Sequence, residues 1–342
     1  MKKTILSITI PTYNRLTFLE TAVTCFIDQI KAGHLENDVE VLIGNNDSKD
    51  QTKNYVDEVA SQHSFIRVFN HPINLGVSGN IDFLVNESRG EYILPCGDDD
   101  LFREGALEYY INRIKEKKPN FIINNTANII SNDNSNRDYK VILENRLRID
   151  KDVFVENFQR DYKLLDNVYN WLYLMNCAPS VIFKKDLFVK EATTARKYIR
   201  PENLYLWQGQ NIIGISKYGR LLVIGKCFAL HRKNETHWTK DSRSTAFFNI
   251  FDNVEIANLI KDYMPREYIK YKKLYAAFTM GGLMVDTING KKIRSYAWTA
   301  FYQNLSFFPE NLQFLSMVIA PRLVSKMSAK LRKYKNTISS IG

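Results

Sequence analysis

Cysteine is scarce in this chain of 342 residues, and its four copies, Cys25, Cys96, Cys177 and Cys227, stand far apart with no CxxC pair. That spacing excludes a zinc-finger cage and a disulfide-stapled scaffold, and it predicts reduced, buried thiols. Long apolar runs are missing as well. No stretch approaches the roughly 18 to 20 residues that a membrane-crossing helix needs. Helix-turn-helix, zinc-finger and RNP-like patterns are absent, so nucleic acid is not expected as a partner. There is no internal repeat. The opening Met1-Lys2-Lys3 is basic, but Thr4 to Ile10 is too short for the apolar core of a leader and alternates with Thr and Ser. It reads as a first strand.

Charge cancels over the first 260 residues, where 33 Lys and Arg face 33 Asp and Glu. The formal net charge of +10 comes from Lys261 onward, where fourteen Lys and Arg face only Asp262, Glu267, Asp286 and Glu310. In Pro321 to Lys335, Leu323, Val324, Met327 and Leu331 can share one helix face while Arg322, Lys326, Lys330, Arg332 and Lys333 line others. This pattern predicts contact with an anionic membrane surface, the alternatives being a helix packed on the rest of the chain or a homo-oligomer through the C-terminal helices. A cytoplasmic protein, peripheral on the inner face of a membrane, is the expectation.

What is present is the material of a globular fold, 45% hydrophobic and 25% charged. Strands at 5–10, 39–44, 65–69 and 92–94 alternate with helices at 16–30, 52–61 and 78–88, which predicts right-handed βαβ units and a parallel sheet. A helix over 104–117, a strand over 120–124, a polar loop over 131–137 and strands at 180–183 and 220–224 follow. Ligands of such sheets bind at the carboxyl ends of the strands. That rule selects four loops: Pro11 to Arg15, Asn45 to Asp50, Asn70 to Gly76, and Cys96 to Asp100.

The last of these ends in Asp98-Asp99-Asp100. Three adjacent carboxylates repel one another unless a cation, solvent or hydrogen bonds offset them, and a divalent metal holding a diphosphate is the economical explanation. An acidic turn capping the next helix is the alternative. The other loops supply Pro11-Thr12-Tyr13-Asn14-Arg15, Asn46-Asp47-Ser48-Lys49-Asp50-Gln51-Thr52 and Asn74-Leu75-Gly76-Val77-Ser78-Gly79-Asn80. With these four elements in order over about 105 residues, the chain resembles the family 2 glycosyltransferases, which have the GT-A fold. Its Gly-Asp-Asp-Asp form looks like the branch containing bacterial surface-polysaccharide transferases such as abequosyltransferases. It departs from the family pattern where Val77-Ser78-Gly79-Asn80 replaces the usual Ala-Arg-Asn continuation.

The resemblance implies an α/β fold of GT-A type, Rossmann-like, with a mostly parallel central sheet flanked by helices and a helical, basic C-terminal extension. The catalytic domain would span 1–243, with the nucleotide-sugar half at about 1–105 and the acceptor half at about 106–243, leaving 244–342 as the helical region. It implies a nucleotide-sugar donor, a glycan or lipid-linked acceptor, and Mn²⁺ or Mg²⁺. Pro11, Tyr13, Arg15, Asp47, Asn74, Gly76, Asp98 and Arg232 are the expected donor contacts. Tyr13 can stack on a base, Arg15 can pair with phosphate, and Asp47 can accept the N3–H of uracil or thymine. Asp98 would lie nearest the ribose, and Asp99 and Asp100 would bind metal, with His231 and His237 as further candidates in a loop just past the last strand. A basic surface loop is the alternative there. For an inverting reaction the expected base is Glu202, with Asp186 in reserve. A catalytically idle scaffold of the same fold, docked at a membrane, is the rival reading.

Overall fold

β1 (Leu6–Thr12), β2 (Val39–Asn45), β3 (Ile66–Asn70) and β4 (Tyr92–Pro95) run parallel in the order β3-β2-β1-β4. They belong to a computed structural model that describes residues 3–131, 139–168, 171–174, 178–199, 206–232, 255–269 and 271. The connections are α1 (Leu16–Ala32), α2 (Thr52–Gln62) and α3 (Gly76–Glu87). β5 (Leu101–Phe102) and α4 (Ala106–Lys117) lead into β6 (Phe121–Ser131), β7 (Tyr139–Leu143) and β8 (Val153–Val155). The short helices α5 (Phe158–Asp161) and α6 (Trp171–Leu174) precede β9 (Val181–Lys184), α7 (Lys185–Lys190) and α8 (Ala192–Ala195), and α9 (Leu206–Tyr218) precedes β10 (Leu221–Arg232). The single sheet continues β4-β9-β6-β10-β5, with β7 on β6 and β8 on β10.

Apolar spacing sets the packing. Leu19, Val23, Phe26 and Ile30 of α1, Val56 and Val59 of α2, and Leu107, Tyr110, Ile111 and Ile114 of α4 share one core with Leu6, Ile8 and Ile10 of β1 and Val39, Val41 and Ile43 of β2. These positions repeat at three and four residues on the helices and at two on the strands, so one stripe of each meets one face of the sheet. Each fully buried Leu or Ile contributes about 1.5–3 kcal/mol. Two glycines allow close approach. A Cβ on Gly44 of β2 would come within 2.1 Å of the Asn80 Oδ1 of α3, and one on Gly214 of α9 within 2.4 Å of the Phe121 Cζ of β6.

β6 runs seven residues past the end anticipated from sequence, because its polar run is paired inside the fold. Asn125 Nδ2 donates to the Asn145 Oδ1 and the Gly225 carbonyl, each at 2.7 Å, and its Oδ1 accepts the Leu147 N–H at 3.1 Å. β10 likewise continues to Arg232, opposite Ile129, across register shifts between Ile224 and Ala229. β5, β7 and β8 are short edge pairings that the periodicity did not announce.

The chain divides into two compact units, Met1–Glu235 and Thr236–Gly342. In the second, residues 255–263 and 265–269 are helical, and Pro265 opens the later segment, where its missing N–H is harmless. Among the described residues no helix is long and apolar enough to cross a membrane. Pro321 to Lys335, Cys177, His237 and Glu202 lie outside the described residues, as does the polar loop beyond Ser131. Of the other cysteines, Cys96 is buried, Cys25 and Cys227 are half-buried, and all three are free thiols.

Candidate active site

β1 leads through α1 to β2 on one side, whereas the chain leaving β4 passes to the other side of the sheet. The crevice beyond their carboxyl ends is therefore a topological switch point, where an open α/β sheet has room for a ligand. Pro11 and Thr12 close β1, beyond its last rung with β4 at Thr9↔Pro95, so the missing N–H of Pro11 breaks no bond to β4.

Asp98, Asp99 and Asp100 stand in that crevice and are all partnered. The Thr12 hydroxyl donates to Asp98 Oδ2 at 2.8 Å. Arg15 bridges two of the acids, with Nε 3.2 Å from Asp98 Oδ1 and a terminal nitrogen 2.5 Å from Asp99 Oδ2. Its guanidinium carbon lies 4.6 Å from the Phe18 ring centroid. Asp100 Oδ2 accepts the Gly97 N–H at 2.9 Å, and His231 Nδ1 is 3.0 Å from Asp100 Oδ1. Arg232 is buried and donates from Nε to the Asp99 carbonyl at 3.3 Å. Sequence reasoning put His231 and Arg232 in a loop. They are instead the last two residues of β10, held by its parallel ladder with β6.

Crowding of like charge has an electrostatic cost. Burial pushes the Asp98 carboxyl up to about 7, against the lowering pull of Arg15 and with Asp99 adding to the rise. Asp99 is raised too, by burial and then by Asp100. For Arg15, burial opposes the charged form, but Asp98 and Asp99 outweigh it and its pKa rises. The cluster thus holds more negative charge than its buried cations offset easily.

A divalent cation fits this chemistry. Among the described residues no three His, Cys, Asp or Glu side chains form a ready cage. Magnesium-like ions, however, are commonly held by one or two carboxylates together with substrate phosphates. A side chain on Gly97 would meet Asp100 Oδ2 at 2.8 Å and Asp99 Oδ1 at 2.9 Å, so oxygens of both acids converge on the space that this glycine leaves open.

The flanking loops are built on backbone bends. Asn14 and Asp47 adopt left-handed φ values of 53° and 65°, and Gly76 one of 71°. Asn14 ties the first loop to the second, its N–H donating to Ser48 Oγ at 2.9 Å and its Oδ1 accepting the Lys49 N–H at 2.6 Å. Tyr13 is 43% exposed. Asp47 pairs with Lys49 at 2.5 Å. Asn74 accepts the Gly76 N–H at 2.8 Å and the Asn46 Nδ2 at 2.9 Å, and Asn46 Oδ1 accepts the Leu75 N–H at 2.8 Å. Buried Asn46, passed over beside Asp47, therefore clasps the Asn74–Gly76 loop. Thr12, Phe18 and Gly97 were passed over likewise, although Thr12 and Gly97 lie within or beside the motifs.

Asp186 is not brought to the cluster. β9 runs antiparallel to β4, with Lys184 opposite Tyr92 at the start of that strand. Asp186 follows it on the opposite edge of the sheet, exposed, its Oδ1 accepting the Leu187 N–H at 2.9 Å. A separate cavity of about 580 Å³, lined by Arg103, Arg113, Glu144 and Asp152 among others, holds acids and bases paired with one another: Arg103 with Glu144 at 2.7 Å and Arg113 with Asp152 at 2.9 Å.

Comparison with known proteins agrees with this geometry. The sequence signature of Glycosyl transferase family 2 matches residues 7–190. The chain is 29% identical over 112 residues to the GalNAc(5)-diNAcBac-PP-undecaprenol beta-1,3-glucosyltransferase of Campylobacter jejuni, covering 32% of this chain and 35% of that one. It is 30% identical over 104 residues to the abequosyltransferase RfbV of Salmonella typhimurium, covering 30% of each. The matched region thus spans about a third of the length of these curated relatives. Among solved structures, residues 1–349 of S. aureus TarS superpose with a TM-score of 0.63 at 13% identity, over 96% of this chain and 92% of that one. The mannosyltransferase PcManGT of Pyrobaculum calidifontis, in complex with GDP-Man and Mn²⁺, gives a TM-score of 0.55 at 9% identity, over 93% and 88%. The fold is of the GT-A type.

Proposed function

The chain belongs to glycosyl transferase family 2, and we propose that it moves a sugar from a uridine-based nucleoside-diphosphate donor to a hydroxyl of a glycan or lipid-linked acceptor in bacterial surface-polysaccharide synthesis. The observation that carries this reading is the cluster of buried Asp98 and Asp100 with half-buried Asp99 between them, at the switch point between β1 and β4. Such a cluster has little structural value and asks for a cationic or metal-bound ligand. The solved structures of TarS with UDP and with UDP-GlcNAc support the donor class.

A divalent ion of the Mn²⁺ or Mg²⁺ kind, when bound, would offset the charge of the leaving diphosphate. Asp99 and Asp100 would hold it. His231 would keep Asp100 oriented, as the hydrogen-bonded neighbour of a metal ligand commonly does. The exposed face of Tyr13 offers a stacking surface for a nucleobase, and Asp47 an acceptor for its N3–H. Arg232 adds buried positive charge beside the place where diphosphate charge develops. In an inverting transfer, Glu202 takes the acceptor proton. The basic, amphipathic tail would bring the enzyme to an anionic membrane surface, where a lipid-linked acceptor resides.

The test is a panel of nucleotide sugars screened for thermal stabilisation with and without Mn²⁺, followed by turnover of whichever donor stabilises. A UDP-sugar that stabilises only with metal, and is hydrolysed slowly without acceptor, supports the proposal. Stabilisation without any turnover would favour an idle scaffold.

A further inference from the structure

Arg15 occupies the place where a cation is needed. Of the three acids, Asp98 and Asp100 are buried to 6% and 2% exposure, so their charge is poorly served by water. Arg15 reaches Asp98 and Asp99 together, and its own side chain is only 10% exposed. Its flat face is covered by Phe18, whose ring centroid also lies 5.6 Å from the guanidinium carbon of Arg232. Asp98 and Asp100 are further committed to Thr12, to the Gly97 N–H and to His231. Asp99 is bound by its carboxylate to Arg15 alone among the described residues. It is therefore the acid best able to change partner.

We propose that Arg15 is an exchangeable counter-ion, which neutralises Asp98 and Asp99 in the unliganded protein and gives up Asp99 when a divalent cation binds there. The proposal rests on the metal-dependent reading above. A guanidinium 2.5 Å from one Asp99 oxygen and a doubly charged ion on the same carboxylate repel each other, so each weakens the hold of the other on Asp99. Three consequences follow. Metal binds weakly to the empty protein because it must displace Arg15. A donor diphosphate strengthens metal binding, because it offers the released guanidinium a new anionic partner. Removing the guanidinium leaves buried carboxylates uncompensated, and they then seek another cation.

The experiment measures Mn²⁺ affinity of the full chain by the electron paramagnetic resonance signal of free Mn²⁺, with and without UDP, for the wild type, Arg15→Gln and Phe18→Leu. Circular dichroism reports whether each variant is folded. Arg15→Gln is expected to bind Mn²⁺ at least about tenfold more tightly than wild type without UDP, and to lose most of the gain that UDP confers. Phe18→Leu loosens the guanidinium without removing its charge, and is expected to tighten Mn²⁺ by a few-fold, which keeps the test open should Arg15→Gln misfold. A purely structural Arg15 would lower or leave unchanged the metal affinity. If the wild type binds Mn²⁺ with UDP while the folded variants bind the ion no more tightly than wild type without it, the exchange is overturned and the metal reading stands. If no form binds Mn²⁺ under either condition, both are overturned.

Discussion

Asp98→Asn should change how stability depends on pH, in a direction that the cluster fixes. The Asp98 carboxyl is pushed up to about 7 in the folded protein from an ordinary value of 3.8. At about 1.4 kcal/mol per unit, a shift of roughly three units is worth about 4 kcal/mol, an order-of-magnitude ceiling. Because the folded-state value is raised, the protonated acid favours folding. Its contribution is complete below about pH 4 and is lost as pH climbs towards 7. Asparagine has no such dependence. It loses part of the pairing with Thr12 and Arg15, a roughly constant cost of about 1–3 kcal/mol. The stability of wild type minus that of Asp98→Asn should therefore fall by up to about 4 kcal/mol between pH 4 and pH 7. With an m-value near 2–3 kcal/mol/M, the urea midpoints of the two proteins should move relative to each other by about 1–2 M over that range. The assay is urea unfolding followed by circular dichroism at four pH values, without metal or nucleotide. A difference that stays constant across the range, or grows with pH, would refute the claim that Asp98 is held against its charge.

Asp99→Asn should leave the fold intact and lower transfer by at least about 100-fold, since an amide cannot supply the charge that balances a divalent ion, with Asp98→Asn milder; full activity in excess chelator would remove the metal from the mechanism. Gly214→Ala sets a helix-propensity gain of about 1 kcal/mol against overpacking of about 1–3 kcal/mol. Phe121 is fully buried and cannot swing aside, so overpacking should win and the melting temperature should fall by about 2–6 °C in a thermal scan. Deleting residues beyond Ser306 should release the protein from anionic vesicles in a flotation assay while donor hydrolysis persists; loss of solubility with unchanged vesicle binding would assign the tail to packing instead.

The first four strands and their helices were legible because each signal is local. Ile8 and Ile10 alternate with Ser7 and Thr9 on a central strand, and Leu19, Val23, Phe26 and Ile30 repeat at helical spacing. The carboxylate cluster was legible for a related reason: a strand followed by a helix fixes which end of the sheet its loop occupies. Less visible were elements whose stability comes from distant partners. Asn125, Thr126 and Asn128 lie past the strand anticipated at 120–124, yet they continue β6, since β10 pairs along them and Asn145 and Leu147 serve the Asn125 amide. Asn46 was passed over because its value lies in a clasp to Asn74 and Leu75, some thirty residues away.

The choice between Glu202 and Asp186 as the base turns on one such non-local fact. The rule that ligands gather at the carboxyl ends of strands applies to parallel strands. β9 is the reversed member between β4 and β6, so its amino end, Val181 opposite Ile123, lies on the edge of the sheet that carries Asp98, and its carboxyl end on the other. β4 alone is four residues long, and with a rise of about 3.3 Å per residue about 10 Å of sheet separates its two ends. No side-chain rotation carries the Asp186 carboxylate across that distance to an acceptor poised near Asp99. A chain position just after a strand therefore selects a site residue only once the direction of that strand is known. With Asp186 on the far edge, Glu202 stays our proposed base, and Glu202→Gln should cost transfer at least about 100-fold while Asp186→Asn stays within a few-fold of wild type. Equal activity of both variants in a transfer assay would move the base elsewhere or make the reaction a retaining one.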